Sequence, residues 1–271
     1  MNRKVVFLDI DGTLVDFRTR MPDSAREALK KARENGHLLS LCTGRTASNI
    51  YDWLLDFGFD AIVASAGAYV KMGDTVIYHS TLDAKEVARL TDIIADHGAS
   101  CMVQGIDGLY MEKEHEVHMR QYCAKQGLDL SAVLQRLEIV EHPYLMPNLE
   151  SGVYYGADIP VDKMQKEAGS YFKITGASFG KDRQMSGEMT RMGVNKATGM
   201  QHLLDYLHMD RADSIAIGDG PNDVEMLSYA GISVAMGNAM EGIKQYADMV
   251  TDDIDKDGIY KAFEKLGLLD G

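Results

Sequence analysis

Two aspartates, Asp9 and Asp11, directly follow a short apolar segment near the start of the chain, in the stretch KVVFLDIDGTL over residues 4–14. The four apolar residues 5–8 are typical of a strand that is buried on both faces of a parallel sheet. Ligands of open α/β sheets bind at the carboxyl ends of the strands, which predicts that both carboxylates face a ligand. A solvated turn is the alternative, because Asp and Gly are common turn residues.

Three further segments carry groups suited to phosphate or metal where a predicted strand ends or a predicted helix begins. They contain Thr43 and Gly44, then Lys196, and finally Asp219, Asn222 and Asp223. In a parallel sheet these places converge on one edge. Carboxylate oxygens of Asp9, Asp219 and Asp223 are the hard ligands that Mg²⁺ prefers, and Lys196 and Thr43 would then hold a phosphate.

This set of side chains could perform phosphoryl transfer. The Asp9 carboxylate can attack phosphorus to give an acyl phosphate, which divides a difficult hydrolysis into two displacements. The carboxylate and a phosphate monoester repel each other, so a metal ion and Lys196 are needed to neutralise the approach. Asp11 could protonate the leaving oxygen and later deprotonate the attacking water.

The elements that must position these residues alternate between strand and helix. Apolar runs predict strands at residues 5–8, 38–42 and 61–64, and helical spacing predicts a helix containing Ala47, Ile50, Tyr51 and Leu54. This order predicts a right-handed, doubly wound parallel sheet of the α/β class. From residue 83 to residue 185 the pattern changes to an α+β insert. The α/β pattern resumes from residue 186 to residue 271.

The four motifs together resemble the haloacid dehalogenase-like (HAD) superfamily, specifically its Cof-type phosphatases. They read Asp9-Ile10-Asp11-Gly12-Thr13, Thr43-Gly44-Arg45, Gly193-Val194-Asn195-Lys196 and Gly218-Asp219-Gly220-Pro221-Asn222-Asp223. The resemblance covers residues 1–82 and 186–271 and implies a Rossmann-like catalytic core. The insert, residues 83–185, falls where such phosphatases carry a cap domain that reads the substrate.

The resemblance also implies roles for individual residues. Asp9 would be the nucleophile and Asp11 the general acid and base. Mg²⁺ would be bound by Asp9, the Asp11 carbonyl and Asp219, with Asp223 nearby. The phosphoryl group would be held by a larger set, namely Thr43, Lys196 and Asn222 together with the backbone N–H groups of Ile10, Asp11 and Gly44.

The expected activity is Mg²⁺-dependent hydrolysis of small phosphorylated metabolites such as sugar phosphates or nucleotides. There are two alternatives: a phosphotransferase or phosphomutase with the same intermediate, and a non-catalytic metabolite-binding protein.

One departure from the family concerns the end of the third strand, where many relatives have Asn-Gly-Ala and this chain has Ser65-Ala66-Gly67-Ala68. Any substrate contact made by that asparagine is therefore in doubt here.

The composition excludes several other classes of function. The net charge of −13 argues against non-specific binding to nucleic acid or to an anionic membrane. Cys42, Cys101 and Cys123 form neither a disulfide framework nor a zinc ribbon. The sequence shows no secretory leader and no membrane-spanning run, so we expect a cytoplasmic protein. The oligomeric state is left open.

Two other segments could bind metal. Residues 253–264 satisfy the EF-hand loop pattern, but Lys261 occupies the ninth loop position, where a ligand is expected, and residues 248–251 can equally form the last strand of the sheet. His115 and His118 lie three residues apart near Glu112 and Glu116, which could make a surface metal site. For the first segment we favour an acidic turn before the last helix, preceded by a strand at residues 248–251, and for the second a solvated acidic face.

Overall fold

A computed structural model of the chain describes residues 3–16, 18–127, 131–177 and 183–270. The strands, in chain order, are β1 Val5–Leu8, β2 Leu38–Cys42, β3 Ala61–Ala64, β4 Tyr69–Met72, β5 Thr75–His79, β6 Ser100–Gly105, β7 Gly108–Met111, β8 Leu137–Ile139, β9 Leu149–Tyr155, β10 Phe172–Gly176, β11 Gly187–Arg191, β12 Ser214–Gly218, β13 Ile232–Ala235 and β14 Met249–Val250. The helices are α1 Asp23–Glu34, α2 Asp52–Leu55, α3 Ala84–Asp96, α4 Lys113–Gln126, α5 Ser131–Arg136, α6 Val161–Ala168, α7 Lys196–Leu207, α8 Val224–Tyr229, α9 Glu241–Lys244 and α10 Gly258–Lys265.

The chain forms two compact units. The first contains residues 1–44, 52–78 and 195–271, and the second contains residues 45–51 and 79–194. We keep the assignment of residues 83–185 to an inserted cap domain as a proposal.

The first unit is built on an eight-stranded sheet in the order β14-β13-β12-β1-β2-β3-β4-β5. The strands from β14 to β3 pair in parallel, and β4 pairs with β3 in the antiparallel direction. Side chains of a strand alternate between its two faces, and every residue of β1, β2 and β12 is buried, as expected for a sheet covered on both sides. On one face, Val5 and Phe7 share a core with Met200 and Leu203 of α7. The predicted α/β fold with a parallel-rich sheet is confirmed.

The second unit is built on a six-stranded sheet in the order β10-β11-β9-β6-β7-β8. Its strands pair in the antiparallel direction except β7 and β8, which are parallel. Two separate apolar clusters pack on this sheet. One includes Val87 and Leu90 of α3 with Met164 of α6, and the other includes Met119 and Cys123 of α4.

The helix predicted through residues 47–54 is confirmed only at its end, because α2 covers Asp52–Leu55, and it is wrong for residues 47–51. Ala47–Asn49 forms a single 3₁₀ turn, and Ile50 is extended, with φ −75° and ψ 142°. The guanidinium of Arg136 donates to the carbonyls of Ser48 and Ile50, so those carbonyls do not accept from the next helical turn. The apolar spacing before α2 reflected the burial of Ile50 in an extended segment rather than a helical face.

The last strand predicted near residues 248–251 is confirmed, because β14 pairs with β13 in parallel.

The three cysteines are free thiols, and all three are buried. Among the helices of the described residues, none combines the length and the hydrophobicity needed to cross a bilayer.

Candidate active site

The carboxyl ends of three adjacent strands carry the residues that the sequence singled out. Asp9 follows β1, and its N–H donates to the carbonyl of Ile217 in β12 at 3.0 Å, which extends the parallel ladder by one residue. Asp219 follows β12 directly. Thr43 follows β2, is almost fully buried and donates its N–H to Val63 of β3 at 2.9 Å. Hydrogen bonds to neighbouring strands therefore fix the backbone of Asp9 and Thr43, and Asp219 is placed by the strand that it directly follows.

The loop after Asp9 turns sharply around the carbonyl of Ile10, which accepts hydrogen bonds from three successive N–H groups of residues 13–15. Gly12 has φ +90°, and a Cβ at this position would lie 2.3 Å from Oδ2 of Asp219. Only glycine fits both conditions. Thr13, for which the sequence analysis gave no role, is fully buried and donates from Oγ1 to Oδ1 of Asp219 at 3.0 Å. The Gly-Thr pair after Asp11 was the available signal for this contact.

Lys196 occupies the first turn of α7 and is fully buried. Asn195 caps this helix: its side chain accepts from the Thr198 N–H at 3.0 Å, and the Thr198 hydroxyl accepts from the Asn195 N–H at 3.0 Å. The Lys196 ammonium donates to Oδ1 of Asp9 and to Oδ1 of Asp223, both at 2.6 Å. One buried cation thus joins two carboxylates that lie far apart in the sequence.

The start of α7 comes unusually close to the end of β3. A Cβ at Gly67 would lie 2.0 Å from the Asn195 carbonyl oxygen, and a Cβ at Gly199 would lie 2.4 Å from Cγ1 of Val63. The turn before Gly67 is left-handed, with Ala66 at φ 51° and ψ 35°. Asparagine tolerates this conformation better than alanine does. The departure at residue 66 therefore coincides with a backbone geometry that favours the residue found in many relatives.

Asp223 closes a 3₁₀ turn, Pro221–Asp223, after β12. Its Oδ2 accepts from the N–H groups of Asp219 and Gly220 at 2.9 and 2.8 Å, while its Oδ1 accepts from Lys196. Both oxygens are thus used, and the side chain is fully buried. Asp223 therefore holds the Asp219 backbone and the Lys196 ammonium in one arrangement.

The electrostatics of the site reflect an excess of buried negative charge. Burial and the neighbouring Asp223 carboxylate raise the pKa of Asp9 well above its usual value, although Lys196 acts in the opposite direction. The same two causes raise the pKa of Asp219 to about 7. Burial alone would lower the pKa of Lys196, but Asp223 and Asp9 outweigh it and raise that pKa. One ammonium does not offset three carboxylates.

This excess charge tests whether the residues suit a divalent cation. Carboxylate oxygens of Asp9, Asp219 and Asp223 lie within 4.8 Å of one another, and no other trio of His, Cys, Asp or Glu among the described residues does so. Hard oxygen donors with uncompensated charge are the ligand set that Mg²⁺ takes in proteins. The donor set therefore fits the cation that the sequence predicts.

The structure thus brings together Asp9, Lys196, Asp219 and Asp223, with Thr43 at the end of the neighbouring strand. The other predicted residues lie on the adjoining loops. Ile10 is buried, Gly44 and Asn222 are half-buried, and Asp11 is exposed. The roles predicted for these residues stay predictions.

The two rival metal segments do not form such a cluster in the described part of the chain. In the C-terminal segment, Lys261 pairs with Asp252. His115 accepts from the Cys101 N–H at 3.1 Å, and the His118 ring forms a 2.7 Å hydrogen bond with Ser100. Both histidines are therefore engaged by the start of β6.

Comparison with known proteins agrees with this geometry. Residues 6–263 match the family model described as haloacid dehalogenase-like hydrolase. The putative phosphatase YkrA of Bacillus subtilis is 29% identical over 273 residues, covering 99% of this chain and 100% of that protein. A second B. subtilis protein, 5-amino-6-(5-phospho-D-ribitylamino)uracil phosphatase YitU, is 26% identical over 94% of each chain.

Solved structures give the same result. The HAD subclass IIB sugar phosphatase BT4131 has a TM-score of 0.80 and 27% identity, with 98% of this chain and 99% of that chain covered. The phosphatase BT1666 from Bacteroides thetaiotaomicron has a TM-score of 0.82 and 27% identity, covering 98% and 96%. With the site geometry and these likenesses together, the chain belongs to the haloacid dehalogenase-like hydrolases, in the Cof-type group, and is a phosphatase.

Proposed function

We propose that this phosphatase hydrolyses monoesters of small phosphorylated metabolites through a phosphoaspartyl intermediate on Asp9. The observation that carries the proposal is the buried Lys196 ammonium at 2.6 Å from Asp9. A carboxylate can attack a dianionic phosphate only if nearby positive charge offsets the repulsion, and Lys196 provides one such charge at the attacking group. Mg²⁺ held by Asp9, Asp219 and the Asp11 carbonyl, with Asp223 nearby, would supply the remaining charge neutralisation.

The reaction has two displacements. Lys196 contacts Oδ1 of Asp9, which leaves Oδ2 to form the bond to phosphorus while the ester P–O bond breaks. Asp11 gives its proton to the departing oxygen, so that an alcohol leaves rather than an alkoxide. A water molecule then attacks phosphorus and gives its proton to Asp11. The bond between Asp9 and phosphorus breaks and inorganic phosphate is released. Asp9 is then again a free carboxylate, and Asp11 again carries its proton.

The phosphoryl oxygens need donors around them during both steps. We assign Thr43, Lys196 and Asn222 to this task, with the backbone N–H groups of Ile10, Asp11 and Gly44. Preorganised donors of this kind stabilise the transition state because they need no reorganisation as charge develops.

The names of the relatives support a hydroxylated substrate. One relative is named for a phosphoribitylamino compound and one similar structure is a sugar phosphatase. We therefore propose phosphorylated sugars, polyols and nucleotides as the first compounds to examine.

The test is a screen of purified protein with Mg²⁺ against phosphorylated metabolites, with release of inorganic phosphate as the readout. Asp9→Asn keeps the size of the side chain and removes the nucleophile, so turnover should fall by at least about four orders of magnitude. Chelation of the metal with EDTA should abolish release, and added Mg²⁺ should restore it.

Two results would contradict the proposal. Retention of more than about a tenth of wild-type turnover in Asp9→Asn would remove the nucleophile assignment, because losing a nucleophile costs far more. Formation of a phosphorylated product from an added sugar acceptor, in place of inorganic phosphate, would indicate a phosphotransferase.

A further inference from the structure

Asn238, three residues after β13, joins two segments that are distant from each other in the sequence. Its Nδ2 donates to the Gly12 carbonyl at 2.8 Å, and its Oδ1 accepts from the Ile254 N–H at 2.8 Å. A single side-chain amide therefore bonds the loop that carries Asp11 to the segment before α10. None of the four sequence motifs contains Asn238.

The backbone that carries Asn238 is held on both sides. The Gly237 N–H donates to the Asp252 carbonyl at 3.0 Å, and the Ala239 N–H donates to the Met236 carbonyl at 3.0 Å. A Cβ at Gly237 would lie 2.5 Å from the Asp253 nitrogen, so the two segments are in close contact. The amide of Asn238 is thus presented to Gly12 from a fixed base.

Gly12 is the residue at which this contact has its effect. The Gly12 N–H donates to the Val15 carbonyl at 2.8 Å, which fixes the peptide plane between Asp11 and Gly12. Asn238 holds the carbonyl of the next plane, between Gly12 and Thr13. Glycine at φ +90° has more conformational freedom than any other residue. These two bonds, together with the longer bond of 3.3 Å from the Thr13 N–H to the Ile10 carbonyl, therefore set the direction in which the chain leaves Asp11.

We propose that Asn238 is a positioning residue for the phosphatase reaction, which fixes the Gly12 peptide and thereby orients the Asp11 side chain toward the leaving oxygen. The inference rests on the proposed function, since it assumes the general-acid role of Asp11. The side-chain amide of Asn238 bonds to Gly12 and Ile254 and not to the three clustered carboxylates, so its effect on the reaction passes through the Gly12 backbone.

The leaving group separates this role from a merely structural one. An alkyl phosphate needs a proton on its departing oxygen, whereas p-nitrophenolate leaves readily without one. Misplacement of Asp11 therefore lowers kcat/KM for an alkyl phosphate more than for p-nitrophenyl phosphate. A loss of folded protein, or a change in affinity for Mg²⁺, lowers both values by the same factor.

The experiment compares kcat/KM for p-nitrophenyl phosphate and for an alkyl phosphate that the wild-type enzyme hydrolyses. Asn238→Asp keeps the acceptor for Ile254 and loses the donor to Gly12, and Asn238→Ser loses the reach of the side chain without adding charge. Asn35→Asp is the matched control, because Asn35 also donates from Nδ2 to a backbone carbonyl, that of Leu268, at 2.9 Å. Asp11→Asn is the reference for complete loss of the acid.

We expect both Asn238 variants to lower the alkyl value about tenfold more than the p-nitrophenyl value, since a general acid contributes about 10²–10⁴-fold. Asp11→Asn should show the same selectivity to a larger extent, and Asn35→Asp should show none. The ratio of the two values does not depend on the fraction of folded enzyme.

Equal losses for both substrates in the Asn238 variants, beside a selective loss in Asp11→Asn, would overturn the positioning role and leave the proposed function intact. A non-selective Asp11→Asn would instead overturn the acid role of Asp11, and with it the inference about Asn238. Absence of wild-type turnover for every phosphate ester would refute the proposed function itself.

Discussion

Replacing Lys196 with Met tests the electrostatic account of the site most directly. The substitution keeps a long unbranched side chain and removes the ammonium that contacts Asp9 and Asp223. Lys196 and Asp223 are fully buried, and Asp9 is nearly so. The variant therefore leaves buried carboxylates without their cation, whereas the packing volume changes little.

The structure gives the size of the effect. A hydrogen bond to a charged group contributes about 1.5–3 kcal/mol, and Lys196 makes two of them at 2.6 Å. Removal of one partner of a buried ion pair costs about 3–5 kcal/mol, which agrees with that sum. We therefore expect Lys196→Met to lower the free energy of unfolding by about 3–5 kcal/mol in metal-free buffer at about pH 8.

The loss should depend on pH. Burial and Asp223 raise the pKa of Asp9 in the folded protein, and Lys196 opposes them, so Lys196→Met raises this pKa further. A carboxyl that binds its proton more tightly when folded destabilises the protein as pH rises from the unfolded pKa through the folded pKa. The penalty of the variant should therefore be smaller at about pH 5 than at about pH 8, since the unfolded pKa is about 3.9.

The assay is equilibrium unfolding in urea with EDTA present, followed by the fluorescence of Trp53. This is the single tryptophan of the chain and lies in the first unit, which also contains the site. Lys4→Met is the matched control, because Lys4 pairs with Asp213 at 2.8 Å in a partly exposed position. Such a pair contributes about 0–1 kcal/mol. A loss in Lys196→Met no larger than in Lys4→Met, or one that is the same at both pH values, would refute the reasoning.

Three further predictions concern other parts of the chain. The His97 ring lies 2.7 Å from Asp158 and 2.9 Å from Glu167, and its hydrogen bonds to Glu167 and then Asp158 raise its pKa. This stabilisation is complete below the unfolded pKa of about 6.5 and is lost as pH rises through the folded pKa, so His97→Gln should lower the thermal midpoint more at about pH 5.5 than at about pH 9. An equal shift at both pH values would contradict this account. In α7, Gly199→Ala should destabilise by about 1–3 kcal/mol, because its Cβ would meet Val63 and Gly67. In α9, Gly242→Ala has open space and should stabilise by up to about 1 kcal/mol. Stabilisation by both variants in urea unfolding would show that helix propensity outweighs packing at residue 199.

The sequence predicted much of the catalytic unit because its reactive residues stand at the ends of apolar strands or the start of a helix. Asp9, Asp219 and Lys196 could each be placed in this way, and the parallel sheet then brings them to one edge. The periodic spacing of buried apolar residues within each element identified most of the strands and helices.

The features that the sequence did not predict have a physical cause in common. Ile50 has helical spacing from its apolar neighbours, yet the carbonyls of its segment accept from Arg136, 86 residues further along the chain. Likewise, the bond from Asn238 to Gly12 spans 226 residues and leaves no local pattern. Periodicity reports which residues are buried, but it does not report which distant donor satisfies a backbone carbonyl.

The separation of Asp9 from Lys196 also affects the order of events during synthesis. The two residues lie 187 positions apart, and a ribosome adds about 5–20 residues per second, so the nucleophile emerges roughly 10–40 s before its counter-charge. During that interval β1 has its β2 partner but lacks β12, which forms its other edge. A nascent or prematurely terminated chain therefore carries an aspartate without the lysine that offsets its charge, and it exposes an apolar strand edge of the kind that chaperones bind.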